Sequence, residues 1–134
     1  MKTVHFQFNT QRSYPYEYLS FILTLFVAIE FLYILVLQTF LTTSKKTSQL
    51  FKIEQQVLQQ DKLKTLMKNQ GVYNGLLGIL LLYGLFFSDH PRELIISILI
   101  YMILVALYGA ITSQKTILLK QGGLPILALI SFIF

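Results

Sequence analysis

Apolar positions in this chain gather into four long stretches, residues 18–41, 70–87, 93–112 and 118–134, separated by shorter polar segments. Each stretch reaches roughly the length a helix needs to cross the hydrocarbon core of a bilayer. The pattern predicts four spanning helices. The first carries a single charge, Glu30, about 18 Å of helix beyond Tyr18 and therefore near mid-bilayer, with Tyr33 on the same face. In the third, Tyr101, Val105, Tyr108 and Thr112 line one face at steps of four, three and four. The last is short, contains Gly122, Gly123 and Pro125, and follows a basic link over 113–121. Between the second and third stretches, Ser88, Asp89, His90, Pro91 and Arg92 form a tight polar turn, with the proline placed to start a helix.

Residues 42–68 read differently. Leu50, Ile53, Val57, Leu58, Leu63, Leu66 and Met67 recur at helical spacing among Lys, Gln and Glu. This predicts an amphipathic helix, either lying on the membrane surface or packed back on the ends of the helices through the same stripe. Ahead of the first span, residues 1–17 are rich in Gln, Asn and aromatics (His5, Phe6, Phe8, Tyr14, Tyr16), which suits a membrane interface.

Residues 69–74 set up the second span. Gln70, Tyr73 and Asn74 share one helical face, about 100° from a face holding Gly71, Gly75 and Gly78. The glycines let a neighbouring helix approach closely. The amides have to point at protein, water or a ligand, because an unpaired amide in hydrocarbon is costly. Chemistry is expected near this end.

Composition agrees with the pattern. The 134 residues are 54% hydrophobic and 13% charged, with a mean hydropathy of +0.62, too apolar for a soluble domain of this size. The absence of cysteine excludes disulfide and thiolate chemistry. The first apolar stretch is too long for a signal-peptide core and lacks a small-residue cleavage site, so no cleaved leader is expected. A net charge of +5 could suggest nucleic acid, but six of the 11 Lys and Arg lie in 42–68, where membrane orientation explains them. No nucleic-acid partner is expected. Connections one and three hold the Lys and Arg excess, so both termini are expected outside the cytoplasm, in the plasma membrane, with 69–74, 108–112 and 115–121 at the cytoplasmic end.

The string Asn69-Gln70-Gly71-Val72-Tyr73-Asn74, followed by Tyr108-Gly109-Ala110-Ile111-Thr112, by Ile117-Leu118 with Gln121-Gly122 and Pro125, and preceded by Tyr33-Ile34 and Leu37, resembles a family designated domain of unknown function 1304. The resemblance covers nearly the whole chain after residue 20. It implies a four-helix integral membrane protein and no established reaction. In similar sequences a histidine is expected where Phe31 stands and an acidic residue where Gln38 stands, so proton chemistry of those groups is not carried over.

The fold class expected is thus an all-α membrane protein, a four-transmembrane-helix bundle with an amphipathic cytoplasmic segment between helices 1 and 2, a single domain over 18–134. Glu30 is the sharpest candidate, since an intramembrane carboxylate is commonly turned inward and functional; a proton or cation site and a hydrogen bond to Tyr33 or Tyr101 are its two readings. Gln70, Tyr73, Asn74, Tyr108 and Thr112 could hold the head of an amphiphile or lock helices together. Lys115, Lys120 and Gln121 are candidate head-group contacts, against the alternative of interfacial snorkelling for the lysines. His5 and His90 are isolated, no metal-ligand spacing or nucleotide motif exists, and Ser88, Asp89 and His90 are too close in sequence to build a triad. No cofactor is expected. The residues favour a proton-linked carrier of a small amphipathic molecule or lipid, working as a homo-oligomer because four short spans enclose little volume. A membrane-embedded enzyme or lipid-binding protein, and an accessory or scaffold subunit, are the alternatives. Placement of Glu30 in the first helix is similar, in architecture alone, to the small multidrug-resistance transporters.

Overall fold

A computed structural model describes residues 15–134, with side chains from residue 17 onward. The interfacial segment expected over 1–17 therefore falls almost wholly outside the described residues, as do His5, Phe6, Phe8 and Tyr14. Among the described residues six α-helices follow one another: α1 (Pro15–Leu35), α2 (Lys45–Phe51), α3 (Gln55–Leu58), α4 (Asp61–Phe86), α5 (Pro91–Thr112) and α6 (Thr116–Ile133). No strand occurs among the described residues. Among the described residues, three helical segments are long and apolar enough to cross a membrane: Glu17–Phe40, Pro91–Thr112 and Thr116–Ile133. Helix α4 is not among them, because Asn69, Gln70 and Asn74 dilute its apolar portion and four charged residues, Asp61, Lys62, Lys64 and Lys68, occupy its first turns.

The helix starts and stops follow local chemistry. Residues 16–41 contain neither glycine nor proline, so α1 runs unbroken until its last turn widens into a π-helix, Val36–Phe40, closed by Leu41 N–H donating to the Val36 carbonyl at 2.9 Å. Ser44 caps α2 by accepting from Thr47 N–H at 3.2 Å. Pro91 occupies the first turn of α5, as the 88–92 turn predicts.

The segment over 42–68 departs from the single amphipathic helix expected there. Lys52 adopts the left-handed conformation with φ 53° and stops α2 after seven residues. Ser48 Oγ then donates to the Ile53 carbonyl at 2.6 Å, and Gln55 Nε2 to the Thr43 carbonyl at 3.0 Å. Short polar side chains thus take up backbone groups that a continuous helix would pair. The expected boundary at residue 70 is absent too. Helix α4 begins nine residues earlier, with Asp61 in its first turn, and passes through Asn69, Gln70 and Gly71. None of these residues is a strong breaker, since each costs at most about 1 kcal/mol relative to alanine.

The chain divides into two compact units, one holding residues up to Ala28 together with Leu80–Phe134, the other Ile29–Ile79. In the first unit α5 and α6 form an antiparallel pair. Ile95, Ile98, Leu99, Met102 and Ala106 are the buried face of α5; Gly122, Pro125, Ala128 and Phe132 are that of α6. A Cβ on Gly122 would lie 3.1 Å from Ala106 Cβ, which is why the pair can close there, whereas a Cβ on Gly123 would meet nothing within 4 Å. Arg92 Nη2 donates to the Phe132 carbonyl at 2.7 Å, tying the start of α5 to the end of α6. Phe21 and Phe86 meet edge to face at 5.7 Å in the same unit.

The second unit is built on the close approach of α4 to the end of α1. A Cβ on Gly75 would lie 2.6 Å from Leu35 Cδ2 and 2.9 Å from Leu35 Cβ. One on Gly71 would run into Thr39 Oγ1 and come within 2.8 Å of Gln38 Cβ. Only glycine leaves room there. Phe31, Ile34, Leu37, Leu58 and Met67 complete the core of this unit.

Candidate functional site

The polar chemistry of the second unit collects at the π-helical end of α1. Widening the last turn displaces backbone carbonyls from their usual partners, and such turns are frequent at functional positions. Here hydroxyls answer them. Thr42 Oγ1 donates to the Gln38 carbonyl at 2.6 Å. Thr47 Oγ1 lies 3.0 Å from the Leu37 carbonyl and 2.7 Å from that of Leu41, its one proton serving either. Thr39 Oγ1 reaches across to α4 and donates to the Lys68 carbonyl at 2.9 Å.

Gln38 is the centre of this arrangement. It is 2% exposed. Its Oε1 accepts from Asn74 Nδ2 at 2.7 Å, and its Nε2 faces Met67 Sδ at 4.0 Å, a weak thioether acceptor. The two amides of α1 and α4 therefore answer each other one helical turn from Gly71, the residue whose missing side chain lets the helices come this close. Sequence reasoning singled out Asn74 and treated Gln38 only as a departure from a family pattern. Its signal was an amide in an otherwise apolar run, which in an apolar surrounding demands a partner.

Glu30 sits two turns before the π-helix, intermediate in exposure, with Oε2 buried and no hydrogen-bond partner for that atom among the described residues. Tyr33, one turn on, is 43% exposed, and the Lys46 ammonium lies over its ring at 5.6 Å from the centroid. Of the α4 polar face, Gln70 and Tyr73 are exposed and Asn74 half-buried. The remaining candidates belong to the other unit: Tyr101 and Tyr108 are exposed on α5, the Thr112 hydroxyl donates to the Tyr108 carbonyl at 2.9 Å, Lys115 and Lys120 are exposed at the start of α6, and Gln121 is half-buried. Among the described residues no group of three His, Asp or Glu side chains could hold a metal ion.

Two comparisons with known proteins give matches. Residues 25–133 match the family described as "Protein of unknown function (DUF1304)". The chain is similar to "Uncharacterized protein YpaA" of Lactococcus lactis subsp. lactis (strain IL1403), 54% identical over 116 residues that cover 87% of this chain and 98% of that protein. No solved structure matches it. The match takes in Glu30, the π-helical turn, the glycine-lined contact of α4 and all of α5 and α6, and on it the chain belongs to the DUF1304 family of proteins of unknown function.

Proposed function

We propose that this is an integral protein of the plasma membrane, crossing it four times through α1, α4, α5 and α6 with both termini outside the cytoplasm, and that it exchanges a proton for a small cationic or amphipathic molecule at Glu30. The observation that carries the proposal is the Glu30 carboxylate itself. It lies in the interior of the span Glu17–Phe40, with one oxygen buried and no partner for it among the described residues. A structural carboxylate in an apolar helix is expected to be tied to a donor, since an unsatisfied one is costly. One left open is available to a proton or to a cation. Tyr33, one turn away, is partly exposed and carries the Lys46 ammonium over its ring.

Counting α4 as a span is supported by the Gln38–Asn74 hydrogen bond, which removes the cost of bringing these amides into an apolar phase. Four helices enclose little volume, so the carrier works as a homo-oligomer. The test is proton release. Purified protein in liposomes should acidify the medium when a lipophilic cation such as tetraphenylphosphonium is added, and Glu30→Gln should abolish both proton release and cation uptake. If Glu30→Gln liposomes take up the cation as the parent does, the carboxylate is not the exchange site.

A further inference from the structure

Lys45 and Lys46 stand side by side at the start of α2, and both are exposed. Thr47, the next residue, fixes this turn to the end of α1 through the Leu37 and Leu41 carbonyls. The Lys46 ammonium lies over the Tyr33 ring, 5.6 Å from its centroid. Tyr33 precedes Phe40 by seven residues, about 10 Å of helix inside the end of the span at 1.5 Å per residue. A lysine at a membrane boundary ordinarily extends its head toward water, and a cation held at depth is costly unless something answers it.

Two groups answer it. The ring attracts the ammonium through its negative face. Glu30, three residues before Tyr33 and so its neighbour on the helix surface, is the only acidic residue between 18 and 40. No hydrogen bond joins Glu30 Oε2 to any group among the described residues, Lys46 included. The aromatic face next to the open carboxylate is therefore already occupied, and by a cation of the chain itself.

We propose that Lys46 is a tethered competitor of the exchanged cation: it occupies the Tyr33 face in the empty carrier, is displaced when substrate binds beside Glu30, and so restricts the substrates to quaternary ammonium and phosphonium cations. A tethered group acts at an effective concentration on the order of millimolar. A free primary amine brings the same strongly hydrated head as Lys46 without the tether, and at micromolar concentration it does not displace the lysine. A quaternary cation has no N–H groups to strip of water and is the kind of ion that aromatic faces bind well. Competition weakens every cation by one common factor, which leaves bound only those with high intrinsic affinity for the ring. This rests on the reading of Glu30 as the exchange site.

The experiment follows the full chain in detergent at one pH by two measurements. Calorimetry gives the affinity for benzyltrimethylammonium and for benzylammonium; peptide mass spectrometry gives the rate at which each lysine is acylated by a water-soluble succinimidyl ester. In the parent, Lys46 should react more slowly than Lys45, and saturating benzyltrimethylammonium should bring it to the rate of Lys45. Tyr33→Leu should release Lys46 without any cation, and Tyr33→Phe should not. Lys46→Gln should bind both cations about fivefold more tightly, the equivalent of roughly 1 kcal/mol for a cation–ring contact that no longer has to be broken, and Lys46→Arg should not. Equal acylation of Lys46 and Lys45 in the empty parent overturns the proposal. So does an unchanged affinity in Lys46→Gln, or a gain that differs between the two cations, and equal affinity of the parent for both cations overturns the substrate class. If Lys46 stays slow under saturating cation while tetraphenylphosphonium still releases protons, the competitor falls and exchange stands. If tetraphenylphosphonium releases no protons from the parent, exchange at Glu30 falls and the competitor with it.

Discussion

An amide inside an apolar helix is stabilising only while its partner is present, and Gln38 and Asn74 make that dependence measurable. Asn74→Ala leaves Gln38 Oε1 buried without its 2.7 Å donor. Loss of one partner costs more than the bond contributed, about 1–3 kcal/mol for a buried group, although hydrogen bonds between membrane helices average nearer 0.6 kcal/mol. Asn74→Ala is therefore expected to lower the melting temperature in detergent, Gln38→Leu to lower it as well, and the double substitution to cost less than the sum of the two. Additive losses in that cycle would mean that the amides do not depend on each other. Glu30 presents the opposite case at the same scale: Oε2 has no partner to lose among the described residues, so Glu30→Gln should change proton-linked exchange far more than stability.

At the scale of the element, glycine decides where helices touch, and the four glycines with the clearest surroundings divide sharply. Gly71 and Gly75 face α1 at distances no side chain can occupy. Gly122 faces Ala106 with a few tenths of an ångström to give, and Gly123 faces open space. Gly75→Leu should therefore melt well below the parent, by the 1–3 kcal/mol typical of overpacking or more, whereas Gly123→Ala should gain up to about 1 kcal/mol from helix propensity alone. Thermal unfolding of both variants beside the parent checks the pair, and a stabilised Gly75→Leu would reverse the assignment of the packing face. The packing face was legible in the sequence at Gly71 and Gly75, because glycines at helical spacing in an apolar run have few other uses. So were α5 and α6, where long apolar runs and Pro91 place the ends within two residues of expectation. The segment over 42–68 was not legible. Its apolar stripe has a helical period, but the period does not reveal that Ser48, Gln55 and Thr47 will bond to backbone carbonyls, or that Lys52 will take a left-handed conformation at φ 53°. The same holds for Gln38, whose partner lies 36 residues away and becomes apparent only when α4 is in place.

For the whole molecule, charge is the strongest determinant of orientation. Of the 11 Lys and Arg, the link between α1 and α4 holds three and the first turns of α4 three more, Lys115 and Lys120 stand just before and within the start of α6, and Arg92 is alone in the first turn of α5. Anionic lipid and the insertion machinery retain such clusters on the cytoplasmic side, an effect counted over short loops like these. The chain contains no cysteine, so a single introduced thiol is an unambiguous reporter. Lys52 and Asp89 are both exposed, the first at the end of α2 and the second in the turn before α5, and neither side chain has a hydrogen bond or ion pair among the described residues. With four crossings and the termini outside, Lys52→Cys should react with a membrane-impermeant maleimide only after the membrane is opened, and Asp89→Cys should react in intact cells. The reverse pattern would invert the orientation while keeping the spans. Labelling of both residues from the same side would require α4 not to cross at all, which its polar Asn69–Asn74 turns make the specific alternative, and would leave Glu17–Phe40, Pro91–Thr112 and Thr116–Ile133 as the only membrane-crossing segments among the described residues.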